Sequence, residues 1–356
     1  MRSPANSILR LALLALLLLS PPRAQAQAPV TPSFPENAST PLSVYVAVYV
    51  NGVAKLNEAA GTFEGNLDVQ LRWRDQRLAF NSKAAGTDRQ EFSKEAAAAK
   101  LATIWTPQVA ITNLADKAAR IEAGLFVYAD GSVVFFQRLQ AVFETPYRLA
   151  GFPFDTQDLT VRLISTTYDQ DQIRFSQDQR DLHSSGIRNG LVIAGWTPLR
   201  LDFASATTRA WNGDMLPAIE ARLLVRRHAS AHLFSILLPF LSILFIPTLL
   251  TLYARTEAAS RLATWSGAIL ALVALNFTFS LRYPYLGNGS LVAEIVTIGF
   301  AYELMMVAVT ITVLNPQVAN KLSNPYVMPE VLSFLRWSVP LGLVVLLVTR
   351  ALLTAL

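Results

Sequence analysis

Side chains able to do covalent chemistry are scarce in this sequence. It contains no cysteine, which excludes disulfide frameworks, thiolate metal sites, cysteine nucleophiles and iron–sulfur clusters. Its 3 histidines are His183, His228 and His232, two of them one helical turn apart beside an apolar run, too few for a histidine-rich metal centre. No Ser-His-Asp order and no paired-carboxylate motif emerges, and Asp169-Gln170-Asp171 reads as a solvated loop. No catalytic residue and no cofactor are expected. What remains is suited to contact and to the transmission of movement. Phe152-Pro153-Phe154-Asp155 is an apolar wedge ending in a carboxylate, and such a wedge marks a contact surface when exposed. Its other reading is a buried turn between strands. Arg226-Arg227-His228 places two cations directly before a long apolar stretch.

These residues sit in a chain with two different characters. Its 356 residues suit two units at roughly 150 residues each. Hydrophobic residues make up 52% and charged ones 15%, against about 25% charged in soluble domains, and mean hydropathy is +0.35. A wholly soluble enzyme is excluded. The net charge of +5 does not form a basic patch: residues 1–26 hold Arg2, Arg10 and Arg23, residues 27–228 hold 21 basic and 21 acidic side chains, and residues 229–356 hold 6 and 4. Nucleic acid is therefore not an expected partner.

Residues 1–26 read as a secretory signal peptide, with Arg2 and Arg10 before a short apolar run and the small-residue site Ala24-Gln25-Ala26, the alternative being an uncleaved anchor. A polar leader follows over 27–40. From 41 to 228 apolar residues recur with period two, as in Val44, Val46, Val48, Val50 and in Leu67, Val69, Leu71, Trp73, and this predicts half-buried strands. Asn51-Gly52, Asp130-Gly131, Asn189-Gly190 and Asn212-Gly213 are turn signals between them. Residues 91–101 predict a short helical insert. From 229 to 356 four apolar stretches, 233–253, 262–281, 291–314 and 331–353, are each long enough to cross a bilayer. With no linker between sandwich and first span, the two units must move together, and the joint is expected to contain Phe152, Pro153, Phe154, Asp155, Arg226, Arg227 and the Pro284 loop.

Residues 145–159, TPYRLAGFPFDTQDL, closely resemble the signature loop of the pentameric ligand-gated ion channels, the Cys-loop receptor family. Thr145 and Leu159 stand where animal members carry two bridged cysteines, and bacterial members also lack that bridge. The resemblance extends through Trp73-x-Asp75-x-Arg77-Leu78, Ile104-Trp105-Thr106-Pro107 followed by Asn113, Asp130-Gly131, Arg226-Arg227 and Pro239. It implies an all-β extracellular sandwich followed by a four-helix transmembrane bundle, assembled as a homopentamer in a bacterial inner membrane with the sandwich in the periplasm. Implied partners are further copies of the chain, a small-molecule or ionic agonist, permeant monovalent ions and membrane lipids.

With Arg261 and Pro284 as matched ends, the resemblance makes the second span pore-lining through Ala263, Gly267, Leu270, Ala274, Phe277 and Leu281. Rings of Leu270 and Phe277 would stop ions by dewetting; outside the family context the same residues would simply pack against lipid or neighbours. Ala258-Ala259-Ser260 lacks the acidic ring of family cation channels, whereas a ring of Glu257 at the pore mouth would attract cations, and cations are expected to be favoured. Glu294 and Glu303 match no pore position. The agonist would lie between neighbouring sandwiches. Thr112 and Thr166 replace aromatic residues of amine receptors and Asp68 replaces another, leaving Tyr168, Phe203 and Trp211 near Asn113; Tyr168 and Phe203 are equally compatible with core. A membrane-anchored periplasmic binding or signalling module without conduction is the alternative.

Overall fold

The computed structural model describes residues 32–35, 39–149, 151–253, 258–283, 290–312 and 327–355. The expected cleavage site, Glu257 and Pro284 lie outside them. Strands β1 (Leu42–Asn57), β2 (Thr62–Arg74), β3 (Arg89–Ser93), β5 (Ala119–Tyr128), β6 (Ser132–Glu144) and β8 (Ile173–Ser176) form one sheet in the order β3-β5-β6-β2-β1-β8, with the two-residue β9 (Gly186–Ile187) also on β1. Strands β4 (Val109–Ile111), β7 (Thr156–Ser165), β10 (Trp196–Arg209) and β11 (Met215–Arg227) form the second, in the order β10-β11-β7-β4.

Period-two alternation explains the core. Val44, Val46, Val48 and Val50 of β1 and Leu67, Val69, Leu71 and Trp73 of β2 are buried against Leu159, Val161 and Leu163 of β7 and Ala221, Leu223 and Val225 of β11. The intervening positions carry charge pairs on the outer face. Asp68 lies opposite Arg138 of β6 and accepts from its Nε at 2.7 Å. Arg72 reaches Asp178 at 2.6 Å and Asp181 at 2.8 Å, the two carboxylates that cap the short helix Gln179–Ser184.

Two sequence expectations fail locally. Asn51-Gly52 is no turn: β1 runs through it with register shifts at Val50/Gly52 and Val53/Lys55, because β2 pairs on both sides of the irregularity and keeps the strand extended. The reversal falls after Asn57, where Gly61 has φ +68°. Residues 91–101 are not one helix, since Arg89–Ser93 pairs with β5 as an edge strand and helix begins at Lys94. Asp130-Gly131 does turn β5 into β6, with Gly131 at φ +81°.

Four helices follow, Ala229–Tyr253, Ala258–Arg282, Leu291–Thr312 and Val327–Ala355, and each contains a stretch long and apolar enough to cross a membrane. A single residue, His228, separates β11 from the first of them. Two pairs of polar groups buried in this bundle bond each other: Trp265 Nε1 donates to Thr251 Oγ1 at 2.9 Å, and Thr248 and Tyr302 share a hydrogen bond of 2.6 Å. Gly299 lets the third helix close on the first two, because a Cβ there would lie 2.9 Å from Phe240 and 3.2 Å from Leu272.

Candidate functional site

The last residue of β11, Arg227, organises the joint between sandwich and bundle. Its side chain is fully buried, and no isolated cation is stable in such a place. Asp155 accepts from its Nε at 2.7 Å and from Nη2 at 3.0 Å. Glu58, in the β1–β2 turn, accepts from Nη1 at 2.7 Å and from Nη2 at 2.8 Å. The guanidinium also lies 4.1 Å from the Trp196 ring centre and 4.8 Å from that of Phe152. Burial opposes the charged form of Arg227, and its hydrogen bonds to Asp155 and Glu58 overcome it, so its pKa stands above the usual arginine value.

The 145–159 loop that supplies Asp155 is tied from within. Gln157 accepts from the Arg148 amide at 2.9 Å, donates to the Arg148 carbonyl at 2.8 Å, and also donates to Asp155. Thr145 Oγ1 donates to the Asp158 carbonyl at 2.9 Å, closing the loop one residue short of Leu159, the second of the two positions where animal members of the resembled family have a disulfide. The wedge divides. Phe152 and Pro153 are buried, with the Phe152 ring 4.9 Å from that of Tyr283 at the end of the second spanning helix, whereas Phe154 is 42% exposed. Arg226 points to solvent. One run of contacts thus links the end of β11, the 145–159 loop and the second spanning helix. Sequence reasoning missed Glu58, Trp196 and Tyr283, which join it from distant segments and carry no motif of their own.

On the second spanning helix Trp265, Ala268, Leu272 and Phe279 are buried against the bundle, and Ala263, Gly267, Leu270, Ala274, Phe277 and Leu281 are exposed. Leu270 is 70% and Phe277 64% exposed. The hydroxyls of Thr264, Ser266, Thr278 and Ser280 each donate to the carbonyl four residues back, so these four spend their donors on the helix's own backbone.

The residues expected at an agonist site are not gathered in one protomer. Asp68 faces outward from the first sheet in its pair with Arg138. Burial would raise its pKa, and the hydrogen bond from Arg138 more than reverses this, holding it below the usual value. Asn113 is occupied by backbone: its amide donates to the Glu144 and Thr160 carbonyls at 2.9 and 2.7 Å, and its carbonyl accepts from the Arg162 amide at 2.9 Å. Thr166 donates to the Gln108 carbonyl at 2.9 Å. Tyr168 accepts from Trp105 Nε1 at 2.8 Å, and Phe34 of the leader packs 5.3 Å from Trp105 and 5.5 Å from Tyr168. Phe203 packs partly on the core. Trp211 is 99% exposed at the tip of the β10–β11 hairpin.

A further feature of the second sheet carried no sequence signal, a cleft of about 980 Å³ lined in part by Asn113, Arg148, Gln157, Arg162, Glu220 and Arg222. Glu220 accepts from Arg162 Nε at 2.7 Å and from Arg222 Nη2 at 2.6 Å. Burial would raise its pKa, and the bonds from Arg222 and Arg162 bring it below the ordinary carboxylate value.

Residues 27–229 match the family described as neurotransmitter-gated ion-channel ligand binding domain. The chain belongs to this family. The family is one of ion channels, not enzymes, and its sandwich followed by spanning helices is the architecture seen here. A proton-gated ion channel of Gloeobacter violaceus is 27% identical over 275 residues, 76% of this chain and 72% of that protein. The human glycine receptor subunit beta is 28% identical over 180 residues, 49% of this chain and 33% of the subunit. The rat subunit is 26% identical over 147 residues, 40% and 28% of the two chains.

Proposed function

We propose that five copies of this chain surround a central pore lined by their second spanning helices, and that a ligand held between neighbouring sandwiches opens it. The single observation that carries the reading is the Arg227 knot. One buried cation ties the β1–β2 turn, the 145–159 loop and the strand one residue from the membrane, and it touches Phe152, which in turn meets the second spanning helix. A displacement of the sandwich loops therefore has a stiff route to the proposed pore helix. The exposed stripe through Leu270 and Phe277 supplies apolar rings able to block ions by dewetting. Thr166, Phe203 and Trp211 on one protomer with Asp68 on the next form the proposed ligand site. Tyr168 and Asn113 complete it; like Thr166 and Asp68, their polar atoms bond within their own chain in the single protomer. A ring of Glu257 favours cations. The reading places residues 1–26 as a signal peptide, 41–228 in the periplasm and 229–356 in the inner membrane.

Planar-bilayer recording of the purified protein across a potassium chloride gradient tests this. Acid pH steps and glycine are the first agonists to apply, following the names of the two relatives. Agonist-evoked current reversing toward the potassium equilibrium potential is expected. Reversal toward chloride overturns the selectivity, and silence under a broad agonist panel favours an anchored binding module.

A further inference from the structure

The third spanning helix turns Val292, Val296, Gly299, Glu303, Met306 and Thr310 toward the bundle at steps of three and four residues. Glu303 is 0% exposed even in the single protomer and lies near the middle of the 292–312 span. Neither of its carboxyl oxygens has a hydrogen-bond partner among the described residues. Its buried polar neighbours in the bundle behave otherwise. Thr248 bonds Tyr302, Thr251 accepts from Trp265, and Thr310 donates to the Met306 carbonyl. Glu303 stands on the face whose preceding turn, at Gly299, abuts Phe240 of the first helix and Leu272 of the second.

No compensating charge meets it among the described residues. The first spanning helix has no acidic or basic residue other than His232 near its start, and its Tyr253 is at the far end, donating to the Arg336 carbonyl. The second has Arg261 and Arg282 at its ends only. The fourth has Glu330, Arg336, whose Nε donates to the Leu252 carbonyl at 3.0 Å, and Arg350, which lies 3.7 Å from Glu294 of the third. Tyr302, the remaining titratable group of the third helix besides Glu294, is held by Thr248. An unpaired carboxylate in such a place is strongly disfavoured, whereas the neutral acid is tolerated.

We propose that Glu303 is a proton-binding site inside the membrane bundle, occupied in the packing described here. Release moves the proton from the carboxyl oxygen to an entering water and leaves one negative charge that this packing cannot solvate. The bundle must then admit water and repack along the seam between the first, second and third helices. The proton site stands on the bundle geometry alone, and its effect on conduction rests on the channel reading above.

Infrared spectroscopy of the full-length protein in lipid at neutral pH tests the site directly, since solvated carboxyl groups are then ionised. A carboxylic-acid carbonyl band is expected in the wild type and absent from Glu303→Gln. The folded bundle keeps a proton that the unfolded chain releases, so the wild-type unfolding constant should rise up to about tenfold per pH unit relative to Glu303→Gln, from the ordinary glutamate value of about 4.3 upward until the folded site itself releases the proton. No acid band, or identical pH dependence in the two proteins, overturns the proposal. Should Glu303→Gln fail to assemble, titrating the wild-type band decides alone, and carboxylate bands only at neutral pH overturn it. In bilayers Glu303→Gln should lose part of the pH dependence of current. An intact band with unaltered gating upholds the site and overturns its link to the pore, and silence in both proteins counts against the channel reading without touching the infrared result.

Discussion

Arg227 concentrates at one residue what the molecule needs at the membrane surface. Two carboxylates and two aromatic rings hold it with no exposure of the side chain. Removing the cation would leave buried Asp155 and half-buried Glu58 facing each other uncompensated, and breaking a buried pair in this way costs about 3–5 kcal/mol. Arg227→Ala is accordingly expected to lower thermal stability steeply in a detergent melt, while Asp155→Asn, which keeps the shape and part of the bonding, should retain assembly and weaken agonist-evoked current. Full-size currents in assembled Asp155→Asn protein would remove this residue from the coupling route. Gly131 makes a second residue-scale case. Its φ is +81°, and a Cβ would lie 2.6 Å from the Asp75 carbonyl oxygen, which sits in the Asp75–Arg77 turn. Gly131→Ala should destabilise the sandwich by about 1–3 kcal/mol, read from denaturant midpoints.

At the scale of elements, the outer face of β11 and β7 is held by charge and the inner face by apolar packing. Glu220 joins Arg162 of β7 to Arg222 of its own strand. Its carboxyl titrates below the ordinary glutamate value when folded, so it contributes stability that is complete above that ordinary value and lost as pH falls through the folded one. Acid unfolding of the wild type should therefore begin earlier, relative to its neutral stability, than that of Glu220→Gln, whose curve should be flatter below pH 4.5. Superimposable acid limbs would show that the Arg162–Glu220–Arg222 row contributes nothing. The same scale explains the divided wedge. Phe152 faces inward to Arg227 and Tyr283, and Phe154 faces out, because residues 151–154 turn back on themselves through the Phe154 amide to Gly151 carbonyl bond of 2.8 Å.

At the scale of the whole molecule, the second spanning helix buries Trp265, Ala268, Leu272 and Phe279 within its own protomer and leaves the Leu270 stripe uncovered. Native mass spectrometry in mild detergent should give a pentamer, and a monomer or dimer at every concentration would sink the pore assignment. Within such a pentamer Leu270→Thr should wet the ring and raise basal current. A tenfold change in the closed-to-open ratio needs only about 1.4 kcal/mol. Unaltered basal current beside a clear effect of Ala271→Thr would place a different face on the axis.

What the sequence determined by itself was whatever depends on one segment at a time. Period-two runs specify half-buried strands, apolar length specifies the spans, and Asp130-Gly131 specifies its turn, since each follows from side-chain direction and local backbone sterics. Phe152, Asp155 and Arg227 were expected to meet because their order along the chain is distinctive, and they do, whereas Phe154 and Arg226 of the same segments face out. Tertiary structure decided the rest. Glu58 meets Arg227 across 169 residues of chain, and no local pattern encodes that pairing. The pairing of β2 with β1 outweighed the turn preference of Asn51-Gly52, and Phe34 with Trp105 drew Tyr168 into an aromatic cluster. Glu303 reads from sequence as one carboxylate in an apolar run. Only the convergence of three helices buries it without a partner among the described residues, because desolvation is set by the neighbours that packing brings together and not by the residues beside it in the chain.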